Sequence, residues 1–233
     1  MNYLLILIII FTTACSSDLV IEKLGDRTNI VQAKDNSTFV EVANFSKSIS
    51  LDPIASGWYH HTFNFIDPMN ISFQEYKGEK AARFETKNSA SMLFRHVDVL
   101  LSDYPKISWK WLVEKDIQSS IDEKSGDGDD SAARLYISFK VEGEKDRRLE
   151  LIWSRSLNRD DKKFTHKFNH YVVRGKNDSK NRWYEEEIDL QKIYNDFWPD
   201  QKSARINAIS FLCDSDNTKT ESIAYFSWLK LMK

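Results

Sequence analysis

Apolar and polar residues alternate in steps of two over most of this chain. Ile107, Trp109, Trp111 and Val113 alternate with Ser108, Lys110, Leu112 and Glu114, which predicts a strand with one buried face. Leu135, Ile137, Phe139 and Val141 alternate in the same way with Arg134, Tyr136, Ser138 and Lys140. After a turn at Glu142-Gly143-Glu144-Lys145-Asp146, Leu149, Leu151 and Trp153 alternate with Arg148, Glu150 and Ser154, so the two runs predict a hairpin. Further strands are predicted near 58–65, 70–76, 80–86, 91–97, 168–174, 183–188, 206–213 and 222–231. One stretch departs from the step of two. Leu190, Ile193, Tyr194, Phe197 and Trp198 fall at helical spacing with Pro199 behind them, predicting a short helix over 190–197. Strands spaced by about ten residues with a single helix predict an all-β fold, a β-sandwich of jelly-roll type, as one domain over 39–233.

The start of the chain is different. Leu4 to Phe11 form an apolar run of eight residues, followed by the small and polar Thr12-Thr13-Ala14-Cys15-Ser16-Ser17. A helix of that length reaches about 12 Å, far short of a bilayer core of roughly 30 Å, so the run suits a secretion signal rather than a membrane span. Thr12-Thr13-Ala14-Cys15 resembles the bacterial lipobox, although Met1-Asn2-Tyr3 carries no Lys or Arg. The resemblance implies cleavage after residue 14, a lipid-modified Cys15 held in the bilayer, and a polar tether over 15–38. Ser16 in place of Asp implies transfer to the periplasmic face of the outer membrane, within the cell envelope.

Composition narrows the choice of partners. Aromatic residues make up 13% and charged residues 29%, with only 7 Gly and 4 Pro, as in a packed domain. The net charge of -2 with interspersed signs gives no reason to expect nucleic acid. Of the two cysteines, a lipidated Cys15 leaves Cys213 unpaired, and Ile209-Ser210-Phe211-Leu212-Cys213 reads as a buried strand with the thiol as a small core group. Most of the seven tryptophans alternate in phase with aliphatic residues, which assigns them to the core.

Two acidic stretches could carry chemistry. Ser125-Gly126-Asp127-Gly128-Asp129-Asp130-Ser131-Ala132-Ala133-Arg134 sets carboxylates and glycines just before a strand. Asp214-Ser215-Asp216-Asn217-Thr218 follows the apolar strand 206–213. No cofactor is called for, but hard cations want several oxygen ligands, so a structural calcium is one use of these carboxylates. Turn-making through side chain to backbone hydrogen bonds is another. Loops at one end of a sandwich can converge. The polar face Arg134, Tyr136, Ser138 and Lys140 would meet Arg148 and Glu150 if the hairpin faces coincide. No GxSxG elbow, HExxH, P-loop or paired CxxC is present. His60 and His61 point to opposite sides of a strand, and His96, His166 and His170 stand apart.

Four stretches in order resemble a bacterial family of exported proteins, the domain of unknown function numbered 3047. They are Tyr104-Pro105-Lys106-Ile107-Ser108-Trp109-Lys110-Trp111, Gly128-Asp129-Asp130-Ser131-Ala132-Ala133-Arg134-Leu135-Tyr136, Arg148-Leu149 through Trp153-Ser154, and Asp214-Ser215-Asp216-Asn217-Thr218 followed by Ala224-Tyr225-Phe226. Ser131 stands where that family leads one to expect Tyr. The closing half, from Trp183-Tyr184 to Tyr225-Phe226-Ser227-Trp228-Leu229-Lys230-Leu231, also resembles galactose-binding-type carbohydrate-binding jelly rolls.

Three functions follow as expectations. The first is glycan binding without catalysis, with Arg134, Tyr136 and Glu150 bonding hydroxyls and Asp214, Asp216 and Asn217 contributing from the neighbouring loop. The second is glycoside hydrolysis by a carboxylate pair, Asp129 or Asp130 with Asp214 or Asp216. The third is an envelope structural or assembly role in which the aspartates brace loops.

Overall fold

Every predicted strand forms, and the strands divide between two sheets. The structure, a computed structural model, describes residues 29–165 and 168–233. The expected signal, Cys15, most of the tether and His166 therefore lie outside the described residues.

In chain order the elements are β1 (Val31–Gln32), β2 (Phe39–Asn44), β3 (Tyr59–Thr62), β4 (Asn70–Tyr76), β5 (Glu79–Lys87), β6 (Ala90–Leu100) and β7 (Lys106–Lys115). They continue with β8 (Arg134–Lys140), β9 (Arg147–Trp153), β10 (Lys162–Thr165), β11 (Phe168–Arg174), β12 (Tyr184–Asp189), α1 (Leu190–Phe197), β13 (Arg205–Asp214) and β14 (Glu221–Met232). The larger sheet runs β1-β6-β13-β8-β9-β11-β10, with β3 also paired to β6. The smaller runs β12-β7-β14-β5-β4, with β2 also on β14. Together they form a jelly-roll-type β-sandwich.

The alternation explains the core. Leu135, Ile137, Phe139, Leu149, Leu151 and Trp153 turn inward from β8 and β9 to meet Ile107, Trp109, Trp111 and Val113 from β7. Rings lock the layers together, Trp111 against Trp153 at 5.6 Å and Phe211 against Phe226 at 5.2 Å. Bulges shift the phase where the sequence pattern slips, between Ile206 and Ala208 in β13 and between Phe226 and Trp228 in β14. Those bulges let Ile206 and Ile209, and likewise Phe226 and Leu229, all enter the core despite their odd spacing. Cys213 is fully buried there. The helix spans the predicted residues. Asp189 caps it by accepting from Lys192 N at 2.7 Å, and Leu190, Ile193 and Tyr194 face inward.

The domain begins earlier than residue 39. Val31 and Gln32 pair in parallel with Val97 and Asp98, and Tyr104 Oη donates to the Ser37 carbonyl at 3.0 Å. A two-residue parallel strand is too short to show alternation, and its partner lies far along the chain. The end of the expected tether is thus part of the sheet.

Candidate functional site

The hairpin β8–β9 forms with its polar faces coincident. Tyr136 lies opposite Glu150, and Ser138 opposite Arg148. Register extends that face across the larger sheet, on the side away from the smaller one. A straight row runs Tyr59, Phe94, Ser210, Tyr136, Glu150, His170, Lys163, one residue from each of seven strands. One step to one side lie His61, Met92, Leu212, Arg134 and Ile152; one step to the other lie His96, Ala208, Ser138 and Arg148.

The charged half of this row is buried and internally paired. Arg134 donates from Nη1 to Glu150 Oε2 at 2.6 Å and from Nη2 to the Asp129 carbonyl at 2.5 Å, with Asp214 Oδ1 at 3.1 Å from Nη2. Lys163 Nζ donates to Asp129 Oδ1 at 2.7 Å and to the Glu123 carbonyl at 2.9 Å. His170 Nε2 lies 2.9 Å from Glu150 Oε2 and 3.5 Å from Asp129 Oδ1. Burial pushes the Glu150 carboxyl up, but Arg134 and His170 outweigh it and hold the group at about 2. Asp129, Arg134 and Glu150, the residues expected at a site, are joined in one buried ion-pair network, with Arg134 Nε outside any hydrogen bond of normal geometry. Sequence spacing misses His170, which β11 delivers by pairing parallel to β9, Lys163, which β10 carries in on β11, and Glu123, from the long loop between β7 and β8.

The two acidic loops converge, as loops at one end of a sandwich can. Asp130 accepts from Asn217 N at 3.2 Å, from Thr218 N at 2.7 Å and from the Thr218 hydroxyl. Asp214 Oδ1 accepts from Ser131 N at 2.9 Å. Asn217 takes part through its backbone, not its side-chain amide. Ligand atoms of Asp130, Asp214 and Asp216 lie within 4.8 Å of one another. Burial pushes Asp214 well up, with the Asp130 charge adding to it against the pull of Arg134, and burial also raises Asp216. An oxygen-only donor set of this kind suits a hard divalent cation, although Asp130 already spends both oxygens on its neighbours. As a hydrolytic pair, Asp130 and Asp214 are committed to holding the two loops together.

The other half of the row sets two hydroxyls among aromatic rings. Tyr136 Oη and Ser210 Oγ, directly opposite each other, are buried and make no hydrogen bond of normal geometry. Around them stand Phe94, stacked on Tyr59 at 5.1 Å, and Phe168, edge-on to Tyr136 at 5.8 Å. Half-buried Phe63 packs against the same group, and the Arg148 guanidinium lies 5.8 Å from the Phe168 ring centre. Buried polar atoms ordinarily find partners, and these two hydroxyls lie instead beneath an aromatic rim.

A family model described as "Protein of unknown function (DUF3047)" matches residues 56–230. The chain belongs to this family. The match takes in the whole row and both acidic loops. In fold the chain is similar to the family 11 carbohydrate-binding module of a cellulosomal cellulase of Clostridium thermocellum, at 10% identity, TM-score 0.42, covering 82% of this chain and 94% of that one. It is also similar to a family 30 carbohydrate-binding module of another cellulosomal cellulase of Clostridium thermocellum, at 11% identity, TM-score 0.43, covering 82% and 95%. A third such structure is the family 11 xylanase from Neocallimastix patriciarum, at 10% identity, TM-score 0.40, covering 88% and 98%. No curated protein matches the sequence.

Proposed function

We propose that this chain is an exported lipoprotein whose sandwich binds a glycan, without catalysis, on the aromatic-rimmed half of the larger sheet. One observation carries the reading: Tyr136 Oη and Ser210 Oγ lie side by side, without a hydrogen bond of normal geometry, among Tyr59, Phe63, Phe94 and Phe168. Sugars present both chemistries that such a surface answers, apolar C–H faces for rings and hydroxyls for polar groups. The absence of catalysis follows from how the nearby carboxylates are used, since Glu150 is held by Arg134 and His170 and Asp130 by the 217–218 backbone.

Anchoring rests on the apolar run Leu4–Phe11 and the lipobox-like Thr12-Thr13-Ala14-Cys15, with Ser16 directing the protein to the periplasmic face of the outer membrane. Isothermal titration of residues 16–233 against envelope and plant polysaccharides tests the binding. No affinity for any of them sinks it. Metabolic labelling with an alkyne fatty acid tests the anchor, and label retained after Cys15→Ala rules it out.

A further inference from the structure

The turn after β3 places a phenylalanine where two separate costs fall on it. Ile66 N donates to the Phe63 carbonyl at 3.4 Å, closing the turn Phe63-Asn64-Phe65-Ile66. Within it Phe65 has φ 64, a left-handed conformation that bulky L residues pay for and Asn or Gly adopt readily. Its ring is also the most exposed large apolar side chain among the described residues, at 107%. Neither the backbone nor packing gains from a phenyl group here, which leaves the ring open to a partner.

The surroundings indicate which partner. Tyr59, His61 and Phe63 follow one another at two-residue steps along β3 and its exit. Tyr59 stacks on Phe94, His61 meets Phe63 edge-on at 5.1 Å, and Phe63 packs on the cluster that holds Tyr136. Phe65 follows two residues after Phe63, in the turn by which the chain leaves the end of β3.

We propose that Phe65 is an outer stacking subsite, and that the glycan is a polymer long enough to run from the Tyr136–Ser210 floor past the end of β3 to this turn. The inference rests on the glycan-binding reading and adds the class of ligand: an extended chain rather than a single sugar. The probes are di- and hexasaccharides of the cello-, xylo-, manno- and galacto- series, titrated into residues 16–233. Phe65→Ala weakens hexasaccharide binding about tenfold, the loss of one stacked ring, and leaves disaccharide binding unchanged. Phe65→Asn gives the same binding loss and raises Tm by about 2 °C through relief of the turn, which separates a ligand role from a fold role. Equal loss for both lengths, or none for the hexasaccharide, overturns the subsite while leaving the floor standing. Binding to phosphatidylethanolamine–phosphatidylglycerol vesicles that Phe65→Ala abolishes, with hexasaccharide binding intact, overturns it in favour of a lipid surface. Failure of the unsubstituted protein to bind any probe overturns the floor and the subsite together.

Discussion

Asp130 and Thr218, 88 residues apart in sequence, are joined by two hydrogen bonds, one from the threonine N–H at 2.7 Å and one from its hydroxyl. With the Asn217 N–H they make Asp130 the clasp between the loop before β8 and the loop after β13. Asp130→Ala leaves two part-buried backbone donors without their acceptor and the Thr218 hydroxyl with only Thr220 to bond. It is expected to lower the unfolding free energy by about 2–4 kcal/mol, read by urea denaturation. A change within experimental error shows that the loops are held by other contacts.

Arg134 stands between Glu150 and Asp214, nearly inaccessible to water. Its removal strands the buried Glu150 carboxylate and takes the cation from Asp214, and truncating one partner of a buried pair costs about 3–5 kcal/mol. Arg134→Ala is therefore expected to destabilise more than Asp130→Ala, or to prevent folding at ordinary growth temperature. Thermal melts of the two variants side by side rank them, and the reverse order contradicts the network described.

The low pKa of Glu150 ties stability to acid. Its folded value of about 2 lies below the ordinary value of 4.5, so its contribution is complete above about pH 4.5. That contribution is lost as pH falls from about 4.5 toward 2, and it amounts to on the order of 3 kcal/mol. Urea unfolding at steps from pH 6 to 3 should show stability falling with acid. Glu150→Gln, less stable at neutral pH, should show a shallower fall over the same window. Parallel slopes mean that other carboxylates account for the acid sensitivity.

The sequence carried most of the architecture and only part of the site. Strict alternation in β7, β8 and β9 reads directly as buried and exposed faces, and the helix over 190–197 announces itself by spacing and Pro199. β1 was not legible, because two residues cannot display a period. β10 is illegible for a different reason: Lys162-Lys163-Phe164-Thr165 is an edge strand whose one buried lysine, Lys163, is met by Asp129 and the Glu123 carbonyl. Arg134, Tyr136 and Glu150 were correctly placed on one face. What they do there depends on β11 arriving parallel to β9 and delivering His170, a long-range pairing that leaves no trace in local pattern. The convergence of Asp130 with the 214–218 loop follows likewise from β8 lying against β13.

The most direct test concerns the hydroxyl of Tyr136. It is buried and makes no hydrogen bond of normal geometry, with Ser138 as a polar neighbour beside it on the same strand, so its removal costs the fold little and removes the floor's contact to a sugar. Titration of Tyr136→Phe with the bound oligosaccharide, beside a urea unfolding curve, is the decisive measurement. The account predicts stability unchanged or raised by up to about 1 kcal/mol, with affinity reduced roughly tenfold or more. Full affinity in Tyr136→Phe, or a marked loss of stability with it, contradicts a ligand-facing role for this row.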